Sequence, residues 1–267
     1  MIVEEALKKL EGQKLFLFIT ATEVETHAFL KGLTKLSDEP IFSNSNTYNV
    51  VKLGLYNVVH VQCNSMGAHS PGSSILTAIN AIETWNPDAI IMVGIAYGKD
   101  QKIGDVLISR SVIDYESVKY NSTAEKRGLH VNAGLTLVNR FSQIIDWNFN
   151  IDGHKANKET GAILSGEVLM NNAEKKKELF DSFPFAIGGD MESFGLYSAC
   201  KEKGIEEWIM IKGVSDLGDG NKDDNKKQNQ EIAAKSAVSL CKKVFSKKQV
   251  FDDIRINPNR SIKKLNW

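Results

Sequence analysis

Unbroken apolar runs alternate along this chain with stretches whose apolar positions recur at helical spacing. Leu15-Phe16-Leu17-Phe18-Ile19, Ala89-Ile90-Ile91-Met92-Val93 and Trp208-Ile209-Met210-Ile211 are apolar at every position. Runs of that length without polar alternation predict central strands covered on both faces. Thr47 to Lys52 and Asn57 to Cys63 predict two strands about a turn at Gly54-Leu55-Tyr56. Val106-Leu107-Ile108, an extended segment from Val112 to Lys119, and Gly161-Ala162-Ile163-Leu164 add more.

Between these runs the period changes. Val3, Ala6, Leu7 and Leu10 predict a short helix stopped by Gly12, and after the segment Thr20 to Glu25 another helix runs to about Leu33. Pro71-Gly72 opens a helix with Ile75, Ala78, Ile79 and Ile82 on its core face. Leu135 to Phe141, the lysine-rich Asn172 to Phe180, and a last helix carrying Ala233, Ala237, Leu240 and Val244 complete the set, with one more after Gly188-Gly189. Residues 121–130 read as a polar loop, 147–159 as irregular, and 220–230 as a surface loop able to act as a lid. Strands alternating with helices predict an α/β three-layer sandwich, a central mixed β-sheet flanked by helices. The division expected is an accessory helix over 1–13, one α/β domain over 14–246 and a mixed-charge tail over 247–267.

The most informative stretch is Gly188 to Leu196. Asp190 is a suitable N-cap, and Glu192, Gly195, Leu196 and Ala199 fall on one helical face. That face is small and apolar apart from its leading carboxylate, which therefore needs a partner. Asp216 follows a buried strand, and in α/β sheets ligands bind beyond the carboxyl ends of strands. Glu23 and Glu25 stand at another strand-to-helix junction. Taken alone, these are equally an ordinary cap, a turn aspartate and first-turn charges.

Composition narrows the classes. Lys plus Arg and Asp plus Glu both number 33, which argues against general nucleic-acid or membrane-surface binding. No apolar run is long enough to span a bilayer. Cys63, Cys200 and Cys241 lack ligand spacing, so no metal is expected, and scattered thiols fit a reducing compartment. Met1-Ile2-Val3-Glu4-Glu5 carries no signal-peptide pattern, and a cytoplasmic location is expected. There is no Ser-His-Asp or His-Glu-x-x-His signature, and Gly94 to Gly98 is neither a dinucleotide fingerprint nor a P-loop. Of the five histidines, His27 and His69 lie nearest the strand-end loops. Glu25, Glu192 and Asp216 on such loops suit acid–base chemistry that needs separated carboxylates, glycosidic-bond cleavage among it.

Ala21-Thr22-Glu23-Val24-Glu25, Asn64-Ser65-Met66-Gly67, Val93-Gly94-Ile95-Ala96, Ile103-Gly104-Asp105-Val106, Gly161-Ala162-Ile163-Leu164-Ser165-Gly166, Asp190-Met191-Glu192 and Val214-Ser215-Asp216 occur in order from about Phe16 to about Val244. Each is weak alone. Together they resemble the nucleoside phosphorylase and nucleosidase superfamily, most nearly the 5′-methylthioadenosine/S-adenosylhomocysteine nucleosidases. The resemblance implies a nucleoside phosphorylase-like fold, a small-molecule purine nucleoside or nucleotide as substrate, no cofactor, and a homodimer or higher oligomer.

It also implies roles. Asp216 would be the general acid at purine N7, oriented by Ser215. Glu192 would hold the ribose hydroxyls, with Met191 against the sugar. Glu25 would hold the attacking water, with Lys212 where these nucleosidases carry arginine. Ala96, Val168, Leu169 and Met170 would line the base pocket, and Met66 the 5′ pocket. Glu25, Met92 and Ile95 stand where phosphorylases hold phosphate, so water is the expected nucleophile. Ile95 replaces a serine and Tyr97 a glycine of the nucleosidases, and lysine lacks the planar fork of arginine. These departures leave the 5′ group open.

The leading expectation is an adenine nucleoside N-ribosyl hydrolase. The alternatives are an AMP- or ATP-cleaving N-glycosidase acting as a defence effector, with Lys99, Lys102 or Arg110 on the phosphates, a purine nucleoside phosphorylase, and a non-catalytic nucleoside-binding module.

Overall fold

A computed structural model describes residues 3, 4, 6, 15–120, 124–126, 128–151, 153–220 and 225–252. Most of the expected 1–13 helix, parts of the 121–130 and 220–230 loops, and the tail beyond 252 lie outside the described residues. Val3 and Ala6 pack against the core.

Among the described residues, eleven strands form one mixed sheet. Its parallel centre contains β1 (Phe16–Thr20), which pairs with both β5 (Tyr56–Gln62) and β6 (Ala89–Gly98). Outward from β5 lie β4 (Asn46–Leu53) and the short edge strands β2 (Thr34–Lys35) and β3 (Ile41–Ser43). On the other side the sheet curls until it meets itself. β6 pairs with β14 (Ala186–Asp190) and with β15 (Trp208–Asp216); β14 pairs with β13 (Lys158–Ser165), β13 with β7 (Val106–Asp114), and β7 with β15. This ring brings the ends of β13, β14 and β15 to one rim beside the last residues of β6.

Helices cover both faces. β4 and β5 are antiparallel, with Tyr48 opposite Val61 and Asn49 opposite His60. Adjacent residues point to opposite faces. On one face Tyr48 packs on Trp85 of α2 (Ser74–Trp85). On the other, His60 stacks on Phe29 of α1 (Glu23–Leu30), which stacks on Phe18. Phe18 also meets Phe245 of α6 (Lys226–Phe245), so α1 and α6 share that face. α2 packs against α5 (Ser193–Lys203). α3 (Leu135–Ser142) lies on β7, and α4 (Ala173–Ser182) supplies Leu179 and Phe180 to a second apolar cluster with Tyr97, Tyr115 and Met170.

Several expectations change in detail. His130, the last residue of the expected loop, joins Val131 and Asn132 in an edge strand, β10, which pairs with β7 and sets Val131 against the core. β8 (Val118–Tyr120) and β9 (Ala124–Lys126) pair antiparallel, as do β11 (Asn150–Ile151) and β12 (His154–Lys155) within the expected irregular segment. β13 begins at Lys158 rather than Gly161, since its first residues are polar and partly exposed. Asp190 is the last residue of β14 rather than an N-cap; α5 starts at Ser193 with Glu192 at the cap position.

His60 is fully buried in this fold, with Nε2 3.0 Å from Thr20 Oγ1. Burial lowers it from 6.5 to about 3. The unfolded chain binds this proton near 6.5 and the native chain does not, so stability falls as pH drops between those values, by at most about 1.4 kcal/mol per pH unit. Urea midpoints at pH 7 and pH 5 are expected to differ more in the wild type than in His60→Gln.

Candidate active site

Three strand ends and one strand middle converge. Thr22 caps α1, and Glu25 at the third position returns its side chain to the turn, completing a capping box. Glu25 Oε2 accepts from the Ala21 and Thr22 N–H groups at 2.6 and 2.7 Å. Its Oε1 reaches past the end of β1 to accept from Ile95 N–H at 2.8 Å. This crossing requires Gly94, where a Cβ would collide with Glu25 Oε1.

Lys212 pairs in register with Gly94 and is fully buried. Its Nζ lies 2.9 Å from Asp190 Oδ2 and 3.6 Å from Glu192 Oε2. Glu192 Oε1 accepts from Gly67 N–H at 3.0 Å, and Ser74 donates to the Glu192 carbonyl at 3.0 Å. Asp190 also accepts from Ser193 N and Oγ, at 3.1 and 2.6 Å, which joins β14 to the start of α5. The buried face expected for Glu192, Gly195, Leu196 and Ala199 is present, and Lys212 is the partner that the glutamate needed.

One ammonium among three carboxylates sets the electrostatics. Burial alone would lower Lys212; Asp190, Glu192 and Glu25 outweigh it and raise the group. Glu192 goes up: burial is the largest cause, Lys212 opposes it, and Asp190 and Glu25 add to the rise. A carboxyl held up in this way is poised to exchange a proton or hydrogen-bond to a hydroxyl.

Asp216 ends β15, the strand that carries Lys212. A bulge between Val214 and Asp216 makes Ser215 the extra residue and turns Asp216 opposite Tyr97. Ser215 Oγ is 3.1 Å from Asp216 Oδ2 and 3.4 Å from the Ala96 carbonyl, and Gly218 N–H donates to Asp216 Oδ1 at 3.1 Å. Ile95 and Ala96 thus connect the Glu25 side to the Asp216 side through adjacent backbone groups.

The remaining candidates surround these groups. Met191 is half-buried between Asp190 and Glu192. Met170 is buried, its Cγ 2.9 Å from where a Cβ on Gly218 would stand. Met66, Val168 and Leu169 are exposed on two loops tied together by Glu167, whose Oε1 accepts from Ala68 N–H at 2.6 Å and lies 2.9 Å from His69 Nδ1. His27 Nδ1 lies 3.2 Å from the Glu23 carbonyl of its own helix. Lys99 and Lys102 line a cavity of about 640 Å³ with Gln101, Lys158 and Phe185, at the starts of β13 and β14, away from Ser165 and Asp190. Arg110 is exposed in the middle of β7. These three cations therefore do not gather at the carboxylate cluster.

Asp190 and Glu167 are the groups that the sequence pattern missed. Asp190 read as a cap, and only its position opposite a buried lysine reveals the ion pair. Glu167 is one residue past Ser165-Gly166, and its loop partner is remote in sequence.

The profile of the Phosphorylase superfamily matches residues 16–246, and the chain belongs to that superfamily. Among curated proteins it is similar to the Death domain-containing ATP nucleosidase of Amphimedon queenslandica, 30% identical over 238 residues that cover 78% of this chain and 44% of the relative. It is also similar to ATP nucleosidase Cap17 of Escherichia coli strain KTE188, 26% identical over 254 residues covering 83% of this chain and 49% of the relative. The chain spans less than half the length of these two relatives. A solved 5′-methylthioadenosine/S-adenosylhomocysteine nucleosidase from Colwellia psychrerythraea 34H, in complex with adenine, superposes with a TM-score of 0.73 at 20% identity, covering 87% of this chain and 94% of that one. At that identity the likeness concerns the fold.

Removing Lys212 strands buried carboxylates, which costs about 3–5 kcal/mol. Lys212→Met is expected to lower the unfolding midpoint at pH 7. Part of the loss is expected to return on acidification to pH 5.5, as the stranded carboxyls take up protons.

Proposed function

We propose that this chain is a purine N-glycosidase that hydrolyses the bond between base and ribose of an adenine nucleoside or nucleotide. Asp216 acts as the general acid at N7, and its bonds from Ser215 and Gly218 hold it in one orientation. Protonating or hydrogen-bonding N7 makes the base a better leaving group as the sugar approaches an oxocarbenium ion. Glu192 binds the ribose hydroxyls, with Met191 against the sugar, and Glu25 positions the water. Ala96, Val168, Leu169 and Met170 line the base pocket, and Met66 the 5′ side. A second copy of the chain covers the exposed mouth formed by Met66, Val168 and Leu169.

One observation carries the choice of water over phosphate. The Ala21, Thr22 and Ile95 N–H groups would cradle an oxyanion, but the carboxylate of Glu25 already accepts from all three. A dianionic phosphate would meet a negative group and lose the backbone donors it needs. A water needs only an acceptor and a small space.

The 5′ group divides the proposal in two. A curated 5′-methylthioadenosine/S-adenosylhomocysteine nucleosidase of Buchnera aphidicola, 29% identical over 197 residues, supports a thioether substrate. The curated relatives named ATP nucleosidases support a nucleotide. Both use the same bond cleavage.

Chromatography of free base, with and without phosphate, tests the proposal on methylthioadenosine, S-adenosylhomocysteine, adenosine, inosine, AMP and ATP. Phosphate-independent adenine release is expected. Strict dependence on phosphate would overturn the water mechanism. Asp216→Asn is expected to lose roughly 10²- to 10⁴-fold in kcat with an unchanged unfolding midpoint; full activity in that variant would remove the aspartate from its role.

A further inference from the structure

Two loops meet beside the candidate site, and one exposed carboxylate joins them. The first, residues 63–73, follows β5 and leads into α2. The second, residues 166–172, follows β13 and carries Val168, Leu169 and Met170. Glu167, at the head of the second loop, reaches across to the first. Its Oε1 accepts from Ala68 N–H at 2.6 Å, and His69 Nδ1 lies 2.9 Å away. Its Oε2 lies against Gly67, where a Cβ would collide with it. Gly67 has a φ of +86°, so its backbone angle and this close carboxylate both call for glycine.

The neighbouring amide faces inward. Gly67 N–H donates to Glu192 Oε1 at 3.0 Å, so two successive N–H groups serve two carboxylates, one buried and one exposed. The peptide between Gly67 and Ala68 is held at both ends: Ser74 N–H donates to its carbonyl at 3.1 Å, and Glu167 takes its N–H. Ala68 is buried, and a buried N–H needs a partner. Without Glu167 this N–H turns toward water, and the turn carries Gly67 N–H away from Glu192. The second loop has other anchors. Val168 N–H donates to Glu116 Oε1 at 3.2 Å, and Gly166 N–H to the Asp190 carbonyl at 3.2 Å. Loss of the Glu167 carboxylate therefore disturbs the first loop more than the second. The His69 contact adds little, since the two side chains are 68% and 38% exposed.

We propose that Glu167 is a positioning residue of the sugar site. By holding the Ala68 N–H it keeps the Gly67 N–H on Glu192, and so fixes the carboxylate that binds the ribose hydroxyls. This rests on the role given to Glu192 above and adds to it what holds that group in place. Binding of the sugar then depends on Glu167, and binding of the free base does not.

The test is calorimetry on Glu167→Ala, Glu167→Gln and His69→Ala. Formycin A is an adenosine analogue whose base and ribose are joined by a carbon–carbon bond, so it binds without being cleaved. Its 5′-triphosphate covers the nucleotide case, and free adenine reports the base alone. In Glu167→Ala, Kd for the tighter-binding formycin is expected to rise roughly tenfold, the scale of one lost hydrogen bond to a charged group, with Kd for adenine within about twofold. Glu167→Gln keeps an acceptor for the Ala68 N–H and is expected to recover formycin binding to within about threefold of the wild type. His69→Ala is expected to stay within about twofold. Unchanged formycin binding in Glu167→Ala, an equal loss for formycin and adenine, or no recovery in Glu167→Gln would overturn the assignment. If the contrast holds while the wild type cleaves no substrate, the glycosidase function falls and the Glu167 assignment stands. If substrates are cleaved and the contrast is absent, the Glu167 assignment falls alone. If the wild type binds neither formycin, the ribose role of Glu192 falls and takes the assignment with it.

Discussion

A single buried ammonium organises this molecule. Lys212 stands in the middle of β15, with no access to water, and touches Asp190 and Glu192 from two consecutive parts of the chain. Burying such a charge is costly unless its partners are close and themselves hydrogen-bonded. Here they are: Asp190 is held by Ser193 and Glu192 by Gly67. The ammonium therefore joins the last residue of β14, the start of α5 and the loop after β5 at one point. Because three carboxylates surround one cation, the cluster is short of positive charge, and Glu192 responds by holding its proton more strongly. An arginine in the same place would present a planar fork; lysine presents a compact charge, which leaves the geometry of the carboxylates to the backbone.

Absence of side chains shapes the site as much as presence. Gly94 lets Glu25 cross from the α1 face over the end of β1, and Gly189 and Gly166 let the Tyr97 and Tyr115 rings lie flat on neighbouring strands. In each case a residue with no Cβ makes room for a functional group from another element. The curled part of the sheet makes these approaches possible, because a ring of paired strands brings β7 and β6 to face each other across β13 and β14. An open sheet would leave those two tyrosines on strands too far apart to share one apolar cluster.

Much of the fold was legible in the chain. Central strands announced themselves as unbroken apolar runs, since a strand covered on both faces has no position for a polar residue. The helices showed their buried spacing, and Glu192 at the head of a small apolar face signalled a paired carboxylate. Edge strands such as β10 were not legible: at three residues with one partly buried side chain, it shows no periodic pattern, and backbone pairing defines it. The Asp190 cap was misplaced because an aspartate after two glycines has the same local signature whether it ends a strand or starts a helix.

The sequence by itself determined the alternation of elements, the superfamily motifs and the residue types available for chemistry, because each depends on neighbours along the chain. Only the tertiary structure decided which of them meet. Lys212 with Asp190, Glu25 with the Ile95 N–H, Glu167 with the Ala68 loop and Tyr97 over Gly189 are all contacts between remote segments. The same packing kept Lys99, Lys102 and Arg110 away from the carboxylates. Local pattern carries no information about strand order or closure of the sheet, and those two features set every one of these distances.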